Sequence, residues 1–588
     1  MNFKIISWLA LIAGVILLSV LPLPEFWITQ LNYIGISTLA VLGLVLLTGV
    51  GGLTSFGQAA FVGIGAYTTA YLTVNLGFSP WLTLLIGLGL TALCALFLGW
   101  ITLRMSGHYL PLATLAWGLS LYYIMGNLDA LGKYDGILNV PGLSLFGWDV
   151  GQARVFFLMT WSLVLLGTLS MIHLLDSRVG RAIRALRTGS QMAESMGIDT
   201  LRFKIGIFMI AALFASVSGW LYAHFQRSVN PSPFGVHVGI EYLFMAVLGG
   251  AGHVWGALTG VTITKLLADQ LQVLLPRLIG TSGSYETIVF GVLLVLILKY
   301  APNGIWDFVD RRLPKLPRKA DWTDAEPLPH RTKPALGEVV LQATDIRKEF
   351  GGLVAVNNIN FSVQAGQIVG LIGPNGAGKS TTFNLITGVL TLTSGAVTFR
   401  GETISSLPSR EIAKRGISRT FQHVKMIADM TVLENVALGA HLRGHKGASS
   451  AMLRLDRAEE QRLFREAEIQ LQRVGMGSYM HELAGNLAMG PQRLLEIARA
   501  LCNDPALLLL DEPAAGLRHK EKQALADVLR QLKSEGMSIL LVEHDMDLVM
   551  QVTDRIVVME FGTRLIEGTP EAIQASPAVR AAYLGTEH

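Results

Sequence analysis

LIGPNGAGKST, residues 371–381, decides how this chain is read. It fits the pattern G-x-x-x-x-G-K-[ST], with strand-like QIVGLI before it and helix-compatible TTFNLITGV after it, which is the setting the pattern requires. In such a loop Gly373, Pro374, Asn375, Gly376, Ala377, Gly378, Lys379, Ser380 and Thr381 wrap nucleotide phosphates. Glycines let backbone N–H groups turn inward, and the following helix N-terminus adds a favourable dipole. Lys379 supplies a point charge to the β- and γ-phosphates, and Ser380 can ligate Mg²⁺.

Working backwards from the loop, the composition changes. Residues 1–304 are long apolar blocks, whereas the remainder is of ordinary soluble composition. Of 588 residues, 51% are hydrophobic and only 15% charged, well under the usual quarter, and mean hydropathy is +0.46. A chain this long holds two or more domains. Its net charge of +4 is too small to point to nucleic acid. Cys94 and Cys502 make neither a disulfide framework nor a metal cluster. The N-terminal segment reads as a first membrane span, because no small-residue cleavage site follows it.

A helix crosses the hydrocarbon core with about 20 apolar residues. About ten spans are expected: 4–22, 32–50, 57–77, 80–103, 108–127, 153–175, 204–224, 239–259, 260–279 and 284–301. Arg178, Arg181, Arg184, Arg187, Arg202 and Lys204 crowd one loop, with Lys4, Arg104 and Lys299 on the same side. Lys133, Arg227 and Arg277 fall opposite. The positive-inside rule makes the crowded side cytoplasmic, together with both termini and the phosphate loop.

Two segments, 46–67 and 247–260, are studded with glycine inside apolar sequence. They read either as broken helices around a midplane site or as close helix packing. Glu241, which opens an expected span at GIEYLFMAV, is a candidate by virtue of its charge. In the loop 176–204, arginines recur every three residues, which reads as a topology signal with lipid contact, or as a docking element. The docking reading centres on a short helix around Gln191–Gly197, with Gln191, Ala193, Glu194 and Gly197 as its residues. Residues 305–337, with prolines at 314, 317, 327, 329 and 334, read as a semi-stiff linker. A soluble domain then occupies 338–588.

In that domain ALLLLDEP (506–513) reads as a buried parallel strand ending in two acids. Asp511 suits Mg²⁺, and Glu512 is placed to polarise an attacking water. SILLVEHD (538–545) repeats the arrangement and ends at His544, a candidate sensor of the γ-phosphate.

These motifs resemble the nucleotide-binding domain of an ABC transporter, which implies ATP with Mg²⁺. The resemblance implies Gln422, in SRTFQHVKMIADMTVLENV, as a residue touching Mg²⁺ and the attacking water, and Phe350 as the aromatic stacked on adenine. NLAMGPQRLLEIARAL (486–501) resembles the signature segment, so that Ala488, Met489 and Gly490 would hold the γ-phosphate bound to an opposing domain. The chain is more specifically similar to the branched-chain amino acid (LIV-type) importers, through GNLAMGPQRLLEIARALCNDPALLLLDEPAAGL and AAYLG in its second half, and LLTGVGGLTSFGQAAFVGIGAYTTAYL, SRVGRAIRALRTGSQMAESMGID and IEYLFMAVLGGAGHVWGALTG in its first. The fold implied is a polytopic α-helical permease fused to an α/β P-loop ATPase. The resemblance also implies a periplasmic substrate-binding protein, a second permease and a second ATP-binding subunit (or a self-dimer), and a bacterial inner membrane.

Departures from the family pattern are local. Ala488 lacks the hydroxyl usual in L-S-G-G-Q, Pro491 is expected to open the following helix, and Arg518 stands where a small polar or acidic residue is common. An ATP-regulated channel and an exporter are the rival classes. Intact Lys379, Asp511, Glu512 and His544 oppose the first; the absence of long helical extensions opposes the second. The resemblance favours ATP-driven import of branched-chain or related amino acids, with urea, amides and aromatic acids as the alternative substrates.

Overall fold

The computed structural model describes residues 3–105, 109–145, 147–279, 286–313 and 321–584. Up to residue 310 the helices are α1 (Phe3–Val20), α2 (Glu25–Leu44), α3 (Gln58–Leu76), α4 (Pro80–Thr102), α5 (Tyr109–Asn127), α6 (Ala153–Leu175), α7 (Arg178–Thr188), α8 (Ser190–Ser195), α9 (Thr200–Gln226), α10 (Val236–Gly249), α11 (Val254–Ile279), α12 (Glu286–Tyr300) and α13 (Ile305–Asp310). Two compact units result. One holds 1–175 and 201–316; the other holds 176–200 and 317–588, so α7 and α8 belong with the second.

Each segment expected to span carries a helix, but length and hydropathy single out fewer. Glu25–Val50, Pro80–Thr102, Ala153–Leu175 and Thr200–Gln226 are each long and apolar enough to cross a membrane. Val236–Gly249 with Val254–Leu274, bent by 116°, forms a fifth candidate, so about ten is not established on these criteria among the described residues. The break expected at 259/260 falls instead at residues 250–253. Gly250 is the reason: at φ +112° it leaves the helical region, and length alone could not place that point.

The glycine-studded segments serve close packing, and they do so around two breaks. A Cβ on Gly49 would lie 1.6 Å from the Ala251 carbonyl oxygen, so the two segments touch backbone to backbone. α2 runs on into a π-helical turn over Val45–Val50 before its chain unwinds ahead of α3. Glu241 lies within α10, not at its opening, and its carboxylate takes a 3.1 Å ion pair from Lys265 of α11. An ion pair joining two largely apolar helices lowers the cost of both charges.

The second unit is an α/β domain. After the hairpin β5 (Val339–Phe350) and β6 (Leu353–Gln364) come β7 (Ile368–Ile372), α14 (Lys379–Ile386), β8 (Ser394–Phe399), β9 (Glu402–Thr403), α15 (Ser409–Arg415) and β10 (Ile417–Arg419). They are numbered after the two-residue strands β1–β4 of the first unit, at Ile137, Ser144, Trp148 and Ser228. Next follow α16 (Val432–Gly439), α17 (Ala448–Met452), α18 (Arg457–Arg473), α19 (Met489–Leu501), β11 (Leu507–Asp511), α20 (His519–Ser534), β12 (Ser538–Val542), α21 (Met546–Val552), β13 (Arg555–Glu560) and β14 (Thr563–Gly568). A six-stranded sheet runs β10-β11-β12-β7-β13-β14, parallel except for β14, beside an antiparallel sheet β6-β5-β8-β9. The leucines of β11 are buried on both faces, as a central parallel strand demands.

Of the stretch read as a linker, residues 321–337 are packed onto this domain. Trp322 is wholly buried, its ring centroid 5.5 Å from that of Phe464. The Arg331 backbone N–H donates to Asp504, and Arg443 donates to the Pro329 carbonyl at 3.1 Å. Proline excludes helix here but does not exclude docking, which one buried tryptophan secures.

Candidate functional site

The phosphate loop joins the end of β7 to α14. Gly378 caps the helix at φ +94°, and a Cβ there would come 2.5 Å from the Ala355 carbonyl oxygen, so glycine is required twice over. Lys379 is buried, and its ammonium donates to the carbonyls of Gly373 (2.7 Å) and Pro374 (3.0 Å). Burial lowers its pKa, against the pull of Glu512 and Asp511. Ser380 is exposed at the first turn of the helix, Thr381 half-buried beside it.

Strand register brings the acids to the same level. Asp511 pairs with Val542 across β11 and β12, and Val542 with Leu371 across β12 and β7, so three strand ends converge at the loop. Asp511 is buried; its N–H donates to Thr420 Oγ1 at 3.2 Å and its Oδ1 has no hydrogen-bond partner. Desolvation pushes its carboxyl up to about 6, in spite of the nearby Arg419 guanidinium. An orphaned carboxylate oxygen at the mouth of a phosphate loop suits a hard divalent cation, and Ser380 is the loop's hydroxyl for the same ion. The residues present therefore fit Mg²⁺.

Glu512 sits just past the strand at φ +47°, and its Oε2 takes a 3.0 Å hydrogen bond from Gln422 Nε2. His544 Nδ1 lies 3.8 Å from the same oxygen. Residues from three separated segments thus meet on one carboxylate. Sequence reading missed Glu543, which is fully buried and accepts N–H groups from Ala514 (2.7 Å), His544 (2.9 Å) and Asp545 (3.2 Å). Its signal was its place beside His544 at a strand end, as Glu512 stands beside Asp511. It missed Arg419 as well, whose guanidinium lies 4.7 Å from the ring centroids of both Phe383 and Phe421.

Phe350 is exposed at the tip of the β5–β6 hairpin, with Lys348 Nζ 5.0 Å from its ring centroid, and is not packed under the sheet. Ala488 is the N-cap of α19 and makes no side-chain cap bond. The helix begins at Met489, two residues before the expected start, so Pro491 stands third in it; its missing N–H is still one the first turn would leave unpaired. Gly490 lies against Glu521 of α20 and Met489 against Gly516. Among the described residues no hydrogen bond joins Ala488, Met489 or Gly490 to the phosphate loop of the same chain.

The basic stripe of 176–204 does not simply face lipid. Arg181 pairs with Glu460 of α18 at 2.7 Å, the two side chains 2% and 9% exposed, and its guanidinium lies 4.7 Å from the Phe464 ring centroid. Arg178 pairs with Glu459 at 3.6 Å and donates to the carbonyls of His441 (2.9 Å) and Lys446 (2.7 Å). Burial and the two arginines hold His441 well below its usual pKa, so it adds no charge to theirs. Following this clasp, α8 covers part of the expected docking helix. Ala193 is buried, Glu194 accepts from Thr200 at 2.9 Å, and Gln191 is exposed. Gly197, at φ +79°, leaves no room for a side chain: a Cβ would meet Leu442 at 2.4 Å.

Comparison with known proteins matches the two halves of the chain to different families. Residues 26–298 match the family of the branched-chain amino acid transport system permease component. Residues 356–515 match the ABC transporter family, and 567–588 the branched-chain amino acid ATP-binding cassette transporter family. A relative described as the high-affinity branched-chain amino acid transport ATP-binding protein LivG, from Escherichia coli (strain K12), is 44% identical over 254 residues, covering 42% of this chain and 99% of its own length. The similarly described BraF of Pseudomonas aeruginosa is 42% identical over 249 residues, covering 42% and 98%. Among solved structures, the ADP conformation of an ATP-binding cassette of an ABC transporter matches at 32% identity, with 42% of this chain and 99% of that one covered and a TM-score of 0.38.

Proposed function

The chain belongs to the branched-chain amino acid ABC transporter family, with a permease component and an ATP-binding component in one polypeptide, and from that premise we propose how it works. It is a membrane-embedded transporter subunit whose cassette binds and hydrolyses ATP. The proposed cargo is a branched-chain amino acid, carried inwards; a related amino acid, urea, an amide or an aromatic acid is the alternative. Delivery falls to a periplasmic binding protein, and a second permease and second cassette complete the assembly in a bacterial inner membrane. Both termini and the cassette lie on the cytoplasmic side, in keeping with the arginine-rich loop.

The observation that carries the mechanism is the convergence of Gln422 and His544 on Glu512 beside Lys379. The loop's N–H groups and Lys379 hold the phosphates, while Phe350 offers its exposed ring to adenine. Gln422 orients the water that Glu512 polarises, the general-base role of a positioned carboxylate. His544, beside the same carboxylate, contacts the γ-phosphate. Asp511, Ser380 and Gln422 would hold Mg²⁺, which would supply positive charge against the phosphates when bound. Ala488, Met489 and Gly490 close on the nucleotide of the opposing cassette. Closure moves the segment 176–200, which is built into the ATPase unit through Arg178 and Arg181.

Reconstituted proteoliposomes test the reading. Loaded binding protein should stimulate ATP hydrolysis and solute uptake together. Glu512→Gln should lower turnover at this chain's own ATP site on the order of 10²- to 10⁴-fold, the usual share of general-base catalysis. Hydrolysis indifferent to binding protein would favour a regulatory role for ATP, and unchanged turnover in Glu512→Gln would remove Glu512 from the chemistry.

A further inference from the structure

Gln422 meets Glu512 only if the loop carrying it is held still, and the element that holds it is the helix headed by the signature residues. One turn into α19, Arg493 donates to the Phe421 carbonyl at 3.0 Å and to the Gln422 carbonyl at 2.8 Å. Three residues on, Glu496 accepts the Lys425 N–H at 2.9 Å; three further, Arg499 donates to the Lys425 carbonyl at 2.6 Å. Residues at this spacing share one helix face. All three are buried, and Glu496 is flanked by Arg499 at 3.3 Å and Arg493 at 3.8 Å. One rigid face therefore grips both ends of residues 421–425.

We propose that Arg493 is a positioning residue for ATP hydrolysis, tying Gln422 to the signature helix so that the two ATP sites of an assembled pair are linked through each cassette. This rests on the reading of Gln422 and Glu512 given above. The signature end of α19 is seated by the nucleotide of the opposing site. Whatever shifts that end shifts the Arg493 guanidinium, and with it the backbone of Gln422 in this chain's own site. A planar fork that spans two successive carbonyls transmits such a shift, whereas an ammonium, being a point charge, cannot hold both in register.

The test is Arg493→Lys in the full chain within its purified transporter. kcat should fall on the order of 10- to 100-fold, the loss that an ångström of misplacement brings. Nucleotide affinity should stay within about twofold, because the phosphate loop is untouched. The sigmoidal ATP dependence expected of linked sites should become hyperbolic. Unchanged kcat and cooperativity in an assembled variant would overturn the proposal, as would a loss of kcat with cooperativity intact. If the variant fails to accumulate, hydrogen exchange of amides 421–425 in the wild-type transporter decides. Protection that rises when ATP closes the cassettes supports the link, and constant protection refutes it. Glu512→Gln, run in parallel, separates the two failures, since normal turnover there would sink the underlying reading whatever Arg493 does.

Discussion

A buried carboxylate oxygen with no donor is costly, and Asp511 keeps one where a cation is wanted. Because burial raises its pKa to about 6, the folded cassette binds that proton more tightly than the unfolded chain does. The sign follows from linkage: this group makes the nucleotide-free cassette less stable as pH rises from about 4 towards 6, and the cost persists at neutral pH. A cation that needs the ionised form removes it. Apparent Mg²⁺ affinity should therefore fall about tenfold per pH unit below about 6 and be nearly level above, with the break lost in Asp511→Asn; titrating Mg²⁺-dependent nucleotide binding between pH 5 and 8 checks this. Asp511, Glu512 and Lys379 were legible because each sits in a contiguous motif at a strand end. Arg493 was not, since its partners Phe421 and Gln422 lie 72 and 71 residues away and arginine in an amphipathic helix reads as a solvated face.

Helices here are set by their ends and by the faces they bury. α19 starts at an alanine that leaves its first-turn N–H groups without a side-chain acceptor. Ala488→Ser supplies one, so it should add about 1 kcal/mol of stability. Differential scanning calorimetry of the assembled transporter would show the rise. A melting point unmoved or lowered would mean that Ala488 is packed, not merely uncapped. α7 was recognisable from its three-residue arginine spacing, but the reason for the spacing was not, because Glu460 is 279 residues from Arg181. Reversing one member of a buried pair leaves like charges facing each other, where loss of a partner alone costs about 3–5 kcal/mol. Arg181→Glu should uncouple hydrolysis from uptake, raising ATP consumed per solute carried, and Glu460→Arg added to it should recover much of the ratio. Were the double variant no better than the single, the clasp would owe its strength to shape and to Phe464, not to charge.

At the scale of the molecule, the chain has two compositions and two units, but the cut between them does not follow the composition. The apolar–polar boundary near residue 304 was plain in the sequence, whereas the excursion of 176–200 into the ATPase unit was not. Nor was the docking of 321–337, whose prolines pointed to a spacer while Trp322 fixes it to the cassette. On the assembly proposed above, one permease component and one cassette make half of a transporter, the cassette contributing a phosphate loop to one ATP site and a signature to the other. In that proposal Glu512 and Gln422 complete the hydrolytic groups of this chain's own loop. The signature it lends lacks a hydroxyl at Ala488, and loss of one phosphate hydrogen bond costs about 1–3 kcal/mol. Unequal sites are most readily accommodated when the second cassette is a different chain. Tagged protein drawn from its native membrane in mild detergent should therefore bring with it one separate permease and one separate cassette, in single copies by native mass spectrometry. In that complex Glu512→Gln should leave a residual turnover below half the wild type, coming from the site that uses Ala488. Recovery of the fused chain alone as a dimer would make both sites identical, and Glu512→Gln would then silence the transporter altogether.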